Sequence, residues 1–489
     1  MLFNSLNFII FFIIIVFLYY ILPYKAGIYA LLIGSYIFYM CWNPKLIVII
    51  VFITFINFVA AALIYQTKEE KQKKLYLLIC MLINFGLLFV FKYLDLACTT
   101  LNSILSFFGA KGNITPPDIV LPMGISFYTF QAAAYTIDVY RKKLKPSENY
   151  VKFSLFITFF PQLVAGPIER SKNLLNQFNR KNRFKMQNVL DGLELMALGF
   201  FKKVVIADRI SIGVNTVFNN VSSYSGLYFI LAALMFTVQI YCDFSGYSDI
   251  ARGTAKVLGF RLMVNFDRPF FSHTLKEFWR RWHISLSSWF AEYLYIPLGG
   301  NRKGKLKKYR NNLITFAVSG LWHGAAYTFI LWGFVHGIYL VIEDIVKTEY
   351  AKAKDIWHIS NKADIFFKII SPLITFSFVA FAFILFRANS ISDAGYIFTH
   401  ILWDFRKWHT AEYIYRLITG MGLSLYEMKV LLAAVIVLFL SEAAAGANIS
   451  GYLRKKGFVP EVIYYAILLL FIMTAGVFYN AGEFIYFQF

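Results

Sequence analysis

From Met1 to Tyr24 the chain carries no charged side chain, and most of those positions are Ile, Phe, Leu or Val. A run of about 18 uncharged apolar residues is long enough to cross the hydrocarbon core of a bilayer. This run is too long for a signal-peptide core, and no Lys or Arg precedes it, so it reads as an uncleaved first span. Comparable runs recur at Ile28–Cys41, Leu46–Tyr65, Leu75–Phe91, Ile119–Val139, Leu227–Tyr241, Leu313–Ile342, Phe366–Phe386, Lys429–Ala444 and Val462–Tyr479. Ile9–Phe17 is continuously apolar, whereas the strands of a membrane β-barrel alternate over about ten residues. The expected fold class is therefore an all-α polytopic membrane protein. Composition agrees: 59% of residues are hydrophobic and 15% charged, against roughly 45–50% and 25% in soluble domains. That balance excludes a soluble enzyme, a disordered tail protein and a disulfide-stapled secreted module. Cys41, Cys80, Cys98 and Cys242 lie far apart with no CxxC pair, so neither a disulfide framework nor a zinc site is indicated.

The formal net charge of +21 is read as the positive-inside bias of cytoplasmic loops, with anionic lipid heads and anionic substrates as further contributors. No nucleic-acid partner is expected. Lys68, Lys71, Lys73 and Lys74 follow the third span, and Arg141, Lys142, Lys143 and Lys145 follow the fifth. Both loops are then cytoplasmic, which places the N-terminus outside. Phe153–Ile168 breaks the alternation. It is apolar but short, contains Pro161, Gly166 and Pro167, and has basic loops on both sides. It reads as a re-entrant or half-buried element, which a membrane protein tolerates only where protein surrounds the broken backbone; a short spanning helix is the alternative. Residues 252–312 interleave Trp279, Trp282 and Trp289 with Arg280, Arg281 and His283, as expected of a helix at the interface or lining a water-filled funnel. No fixed-period repeat and no linker divides the chain, so residues 1–489 read as one membrane domain with a catalytic core region over 150–345.

Ionisable groups inside a membrane domain are costly and mark candidate sites. His323 stands in the apolar segment Val318–Ala325, between Gly320 and Gly324. Arg310 lies thirteen residues earlier, about 20 Å of helix, which places the imidazole near mid-membrane depth. Its functional reading is a general base that takes a proton from a hydroxyl attacking an acyl carbonyl; its bland reading is a histidine bonding helix to helix. The two glycines leave room for a substrate or for another backbone. His283 is the second candidate, since its aromatic neighbours and two arginines suit an anionic or thioester-bearing donor; the alternative is an aromatic belt with snorkelling Arg. On one continuous helix His336 would stand roughly 220° away from His323, facing another site. His358, His400 and His409 fall in polar loops. Asp243 and Asp249 end an apolar span and are expected to pair with an Arg such as Arg280 or Arg252. Glu169 likewise closes an apolar segment.

Other catalytic patterns fail. There is no HExxH, no His pair at i,i+4 and no GxSxG. Gly299–Leu306 imitates a phosphate-binding loop, but Leu306 replaces the Mg²⁺-binding hydroxyl, so the segment reads as a basic cytoplasmic loop.

The motifs LWHG, FWRRWHISLSSWF, YCDFSGYSDIARG and FPQLVAGPIER together resemble the membrane-bound O-acyltransferases, and more closely their alginate O-acetyltransferase branch. GISFYTFQAAAYTIDVYR, ILFRANSISDAGYIF and the ending FIYFQF extend the resemblance over most of the chain. One departure is Phe383, where the branch has Trp. The resemblance implies a ring of roughly ten to twelve transmembrane helices around a central funnel, with re-entrant or interfacial helices. It implies His323 as the active-site histidine and His283 as a second functional one. Trp279, Arg280, Trp282, Ser319, Trp322 and Asp243 are the accompanying donor- and substrate-binding candidates. It further implies an acyl group, most simply acetyl, taken from a cytoplasmic thioester such as acetyl-CoA and passed to a hydroxyl outside. The partners would be a cell-surface polysaccharide, membrane lipids and an SGNH-like extracytoplasmic acetyltransferase or acceptor protein, and the location a bacterial cytoplasmic membrane. The D-alanyl exporters for teichoic acid are a sister branch, typically shorter; length and the 387–489 segment favour the acetyl branch. Basic residues near 302–310 would attract the donor's phosphates. No bound metal or cofactor is required. Two rivals stand beside this reading: a transporter of polysaccharide or lipid-linked sugar, though only one broken segment is visible where transporters pair them, and a scaffold for a partner acetyltransferase.

Overall fold

The computed structural model describes residues 1, 3–110, 114–164, 166–357, 361–446, 448–478 and 484–485. Among these no strand occurs, and the helices are, in order, α1 (Leu6–Ile21), α2 (Tyr24–Met40), α3 (Ile47–Gln66), α4 (Glu70–Leu88), α5 (Leu94–Phe107), α6 (Ile125–Tyr140), α7 (Tyr150–Thr158), α8 (Ser171–Gln177), α9 (Met186–Phe200), α10 (Asp208–Phe218), α11 (Leu227–Val257), α12 (Leu275–Arg281), α13 (Ile284–Phe290), α14 (Lys305–His323), α15 (Tyr327–Trp357), α16 (Asn361–Arg387), α17 (Ile391–His400), α18 (Ala411–Thr419), α19 (Leu425–Ala445), α20 (Ile449–Lys456) and α21 (Phe458–Ala475). Among the described residues, seven segments are long and apolar enough to cross a membrane: Pro44–Gln66, Glu70–Phe107, Leu227–Val257, Tyr327–Tyr350, Phe367–Arg387, Leu425–Ala445 and Phe458–Ala475. The protein is a multi-pass, all-α membrane protein. Its apolar side chains point outward in number, as lipid-facing helices require: Leu6 is 71% exposed, Leu373 65% and Met473 80%.

The chain divides into two compact units, Met1–Met196 with Tyr247–Met263, and Ala197–Gly246 with Val264–Phe489. In the first, the broken segment behaves as its prolines dictate. The nine residues of α7 cover only about 14 Å, and turns follow from Phe159. Phe153, Phe156, Phe159 and Phe160 are all fully buried. Side chains satisfy the backbone that the break exposes. Gln131 and Gln162 donate from Nε2 to the Phe156 carbonyl at 2.6 and 2.7 Å, and the Phe160 N–H donates to Ser35 Oγ at 3.1 Å. A broken helix deep in a membrane protein survives only with such partners.

The second unit holds a buried ionic network that the sequence reading did not single out. Phe201–Ala207 winds as a π-helix, a local form frequent at functional sites. It buries Lys202 and Lys203. Lys203 Nζ lies 2.8 Å from both Asp208 Oδ1 and Asp243 Oδ1, and Lys202 Nζ is 3.6 Å from Glu442 Oε1. Tyr241 Oη donates to the same Glu442 oxygen at 2.5 Å. Buried charges persist only when paired, and here each lysine meets a carboxylate. Asp243 therefore pairs with Lys203 and not with Arg280; Asp249 does pair with Arg252, at 3.0 Å.

The apolar run 313–342 is two helices and not one. α14 ends at His323, Gly324–Ala326 turn the chain, and α15 begins at Tyr327. Small residues make the hairpin tight. A Cβ on Gly320 would fall 2.1 Å from the Phe329 carbonyl oxygen, and one on Gly333 2.1 Å from that of Phe316. Of the two uses foreseen for Gly320, the approach of another backbone is the one realised.

Candidate active site

His323 is the last residue of α14, 3% exposed, and Arg310 sits thirteen residues back on the same helix. Its ring meets Trp322 at 5.0 Å, Trp332 at 5.2 Å and Phe386 at 5.4 Å between centroids. Trp332 and Phe386 belong to α15 and α16, which fold back beside it, so no local pattern announced them.

His283 occupies the bend between α12 and α13, fully buried, with φ +43° and ψ +54°. That left-handed conformation is unfavourable for a residue with a Cβ and persists only where neighbours impose it. Asn265 does so. Its carbonyl accepts from the Ile284 N–H at 2.9 Å and its Oδ1 from the Ser285 N–H at 3.2 Å, closing both donors just after the bend. The bend turns the His283 ring toward Phe244 (4.6 Å), Trp322 (6.0 Å) and His323 (6.4 Å). Phe244 follows Asp243, whose Oδ2 accepts from the Ile485 N–H at 2.7 Å.

The other sequence candidates divide. Trp322 contacts both histidines, and Ser319 is buried one turn before His323. Trp282 packs against Tyr241 and Phe383. Trp279 lies against Trp332 and His336, at 5.7 and 5.1 Å. Arg280 is exposed, while Arg281 binds Glu277 at 2.7 Å. Because α14 and α15 form a hairpin, the angular argument that set His336 apart does not apply: Trp332 makes edge contacts to His323 and to His336, at 5.2 and 4.9 Å. His400 stacks on Tyr396 at 3.8 Å, His409 is exposed and His358 lies outside the described residues. The basic stretch 302–310 is a loop only as far as Gly304: Lys308 lies in the first turn of α14 and is held by Asp344 at 2.6 Å, whereas Arg302 and Lys303 are exposed. No group of three metal-binding side chains occurs among the described residues.

Helices long enough to cross a membrane, a broken helix wrapped in protein, and two enclosed histidines, one on a helix bend and one at a helix end, make this a helical membrane protein with polar groups buried in its interior. Residues 145–359 match the model of the membrane-bound O-acyltransferase family. A probable alginate O-acetylase of Pseudomonas putida is 36% identical over 421 residues, covering 83% of each chain. The peptidoglycan O-acetyltransferase of Helicobacter pylori is 36% identical over 390 residues, 74% of this chain and 71% of its own. A teichoic acid D-alanyltransferase of Streptococcus thermophilus is 33% identical over 235 residues, 45% of this chain and 56% of its own. The protein belongs to the membrane-bound O-acyltransferase family and is an O-acyltransferase.

Proposed function

We propose that the protein takes an acetyl group from a cytoplasmic thioester, most simply acetyl-CoA, and delivers it across the bacterial cytoplasmic membrane to a hydroxyl outside. The hydroxyl belongs to a cell-surface polysaccharide or to a partner of the SGNH type. The catalytic core lies within 150–345 and the N-terminus faces outward. The observation that carries the reading is the 6.4 Å separation of the His283 and His323 rings within one aromatic shell. Dry surroundings keep an imidazole neutral, the form in which it can take a proton from a hydroxyl as that hydroxyl attacks. His323 removes the proton of the acceptor hydroxyl as its oxygen attacks the thioester carbonyl. The tetrahedral intermediate then collapses, the C–S bond breaks, and the departing sulfur takes the proton from the imidazolium, leaving an ester and a free thiol. His283, held by the bend at Asn265, orients the thioester from the other side, with Trp322 between. Trp279, Trp282, Ser319 and Asp243 shape the surroundings, and Arg280 is available to the donor.

Both imidazoles are enclosed in this conformation, so substrates enter only when the aromatic shell moves. The test uses sealed membrane vesicles of known orientation and acetyl-CoA labelled in the acetyl group. Label from the cytoplasmic face should appear as ester on protein or glycan at the opposite face. Glycan crossing the membrane while the label stays on the thioester would support a transporter and overturn the reading.

A further inference from the structure

The first unit contains a cavity of about 590 Å³ away from any histidine in its lining. Six cations face it: Arg180, Lys181, Arg183 and Lys185 from the segment joining α8 to α9, with Lys256 from the end of α11 and Arg261 from the irregular stretch after it. No carboxylate is among the lining residues. Lys256 is partly neutralised by Asp191 at 3.3 Å. Lys181 is fixed by donating to the Tyr20 and Leu22 carbonyls, at 2.9 and 2.6 Å. Arg180, Arg183, Lys185 and Arg261 are exposed, and no ion pair holds their charged heads among the described residues.

The cavity is built and not merely a charged loop. Gln177 clamps the Arg261 backbone from both sides, its Oε1 accepting from the N–H and its Nε2 donating to the carbonyl, each at 2.9 Å. Gly259 has φ +82°, and a Cβ there would stand 2.8 Å from the Asn182 side chain, so the two walls close only with glycine at that position. Asn182 then donates to the Leu258 carbonyl at 3.3 Å. Like charges gathered in this way repel one another, and the arrangement is relieved by an anion of several charges. Guanidinium groups bind phosphate oxygens in pairs, and lysines add point charge. Beside the cavity, Phe184, Met186, Leu190 and Leu193 are exposed at 48–60%, which marks its level as the boundary between lipid and water.

We propose that this cavity is a binding site for clustered phosphate esters. Two sources carry that chemistry at this level: the two-phosphate headgroup of a cardiolipin-type phospholipid and a soluble nucleotide bisphosphate. The lipid arm stands independently of the acyl-transfer reading, because the site's residues lie outside the histidine shell and its test is binding; the nucleotide arm rests on that reading, since adenosine 3′,5′-bisphosphate is the charged head of coenzyme A.

The experiment uses the full-length protein in neutral phosphatidylcholine nanodiscs, with two probes, a short-chain cardiolipin and adenosine 3′,5′-bisphosphate. Wild type is compared with an Arg180→Gln/Arg183→Gln/Lys185→Gln variant and with Arg180→Lys/Arg183→Lys as a charge-conserving control; unchanged elution and thermal melting establish that each is folded. Binding of at least one probe should weaken about tenfold or more in the neutralised variant, persist in the lysine control, and weaken with added salt in the wild type. Loss confined to cardiolipin assigns the lipid, and loss confined to the adenosine bisphosphate assigns the nucleotide. Equal binding of both probes to wild type and neutralised variant, or no binding of either to wild type, overturns the proposal. If the neutralised variant does not fold, salt-insensitive binding to the wild type overturns it equally.

Discussion

The imidazole rings of His283 and His323 lie 6.4 Å apart, one on a strained helix bend and the other on the final residue of a helix. If they serve one reaction, their losses do not add. His283→Ala and His323→Ala should each lower acyl transfer by about 10²–10⁴-fold, and the double variant should be no worse than the poorer single. Initial rates from labelled thioester, measured on all three, check this.

Asn265 fixes the backbone that aims the His283 ring. Asn265→Ala should lower turnover about tenfold, the equivalent of roughly one hydrogen bond, with KM for the acceptor little changed. Asn265→Asp keeps an acceptor at the same place and should recover most of the rate. A merely structural role would move melting temperature and leave the split between kcat and KM untouched.

The motif block around 278–290 and 318–325 made both histidines legible, because bulky aromatics, Gly and an imidazole inside an apolar run have few other uses. The hairpin at Gly324–Ala326 was not legible. Residues 313–342 carry no charged side chain to mark a break, and the tight packing of Gly320 against Phe329 and Gly333 of the returning helix is a long-range contact. Trp332, Phe386 and Asn265 escaped notice for the same reason, since their contacts to the site are long-range. Lys202 and Lys203 drew no attention in the sequence, because the carboxylates that allow their burial lie on other helices, in Asp243 and Glu442.

Lys203 holds two buried carboxylates at once, Asp208 and Asp243. Lys203→Met should destabilise the protein by about 3–5 kcal/mol, the usual cost of leaving a buried charge without its partner. Adding Asp208→Asn should return part of that loss. Thermal unfolding followed by fluorescence-detected size exclusion reads both.

Glu169 gives a pH signature. Burial pushes its carboxyl up to about 7, although the Met263 N–H and Asn173 Nδ2 both donate to it. In the unfolded chain this group loses its proton near the ordinary value of 4.5. Between those values the folded state binds more protons than the unfolded one, so its contribution to stability is full below about 4.5 and is lost as pH rises through about 7. Glu169→Gln should flatten that slope, and melting temperatures between pH 5 and 8 should converge at the acid end and favour the variant at the alkaline end.

The most direct test of the central claim is the ester content of the cell-surface polymer when the chromosomal copy carries His323→Ala at an unchanged level in the membrane. Content equal to that of a deletion strain is the predicted result. Content equal to that of the parent strain would contradict the assignment of His323 to the chemistry.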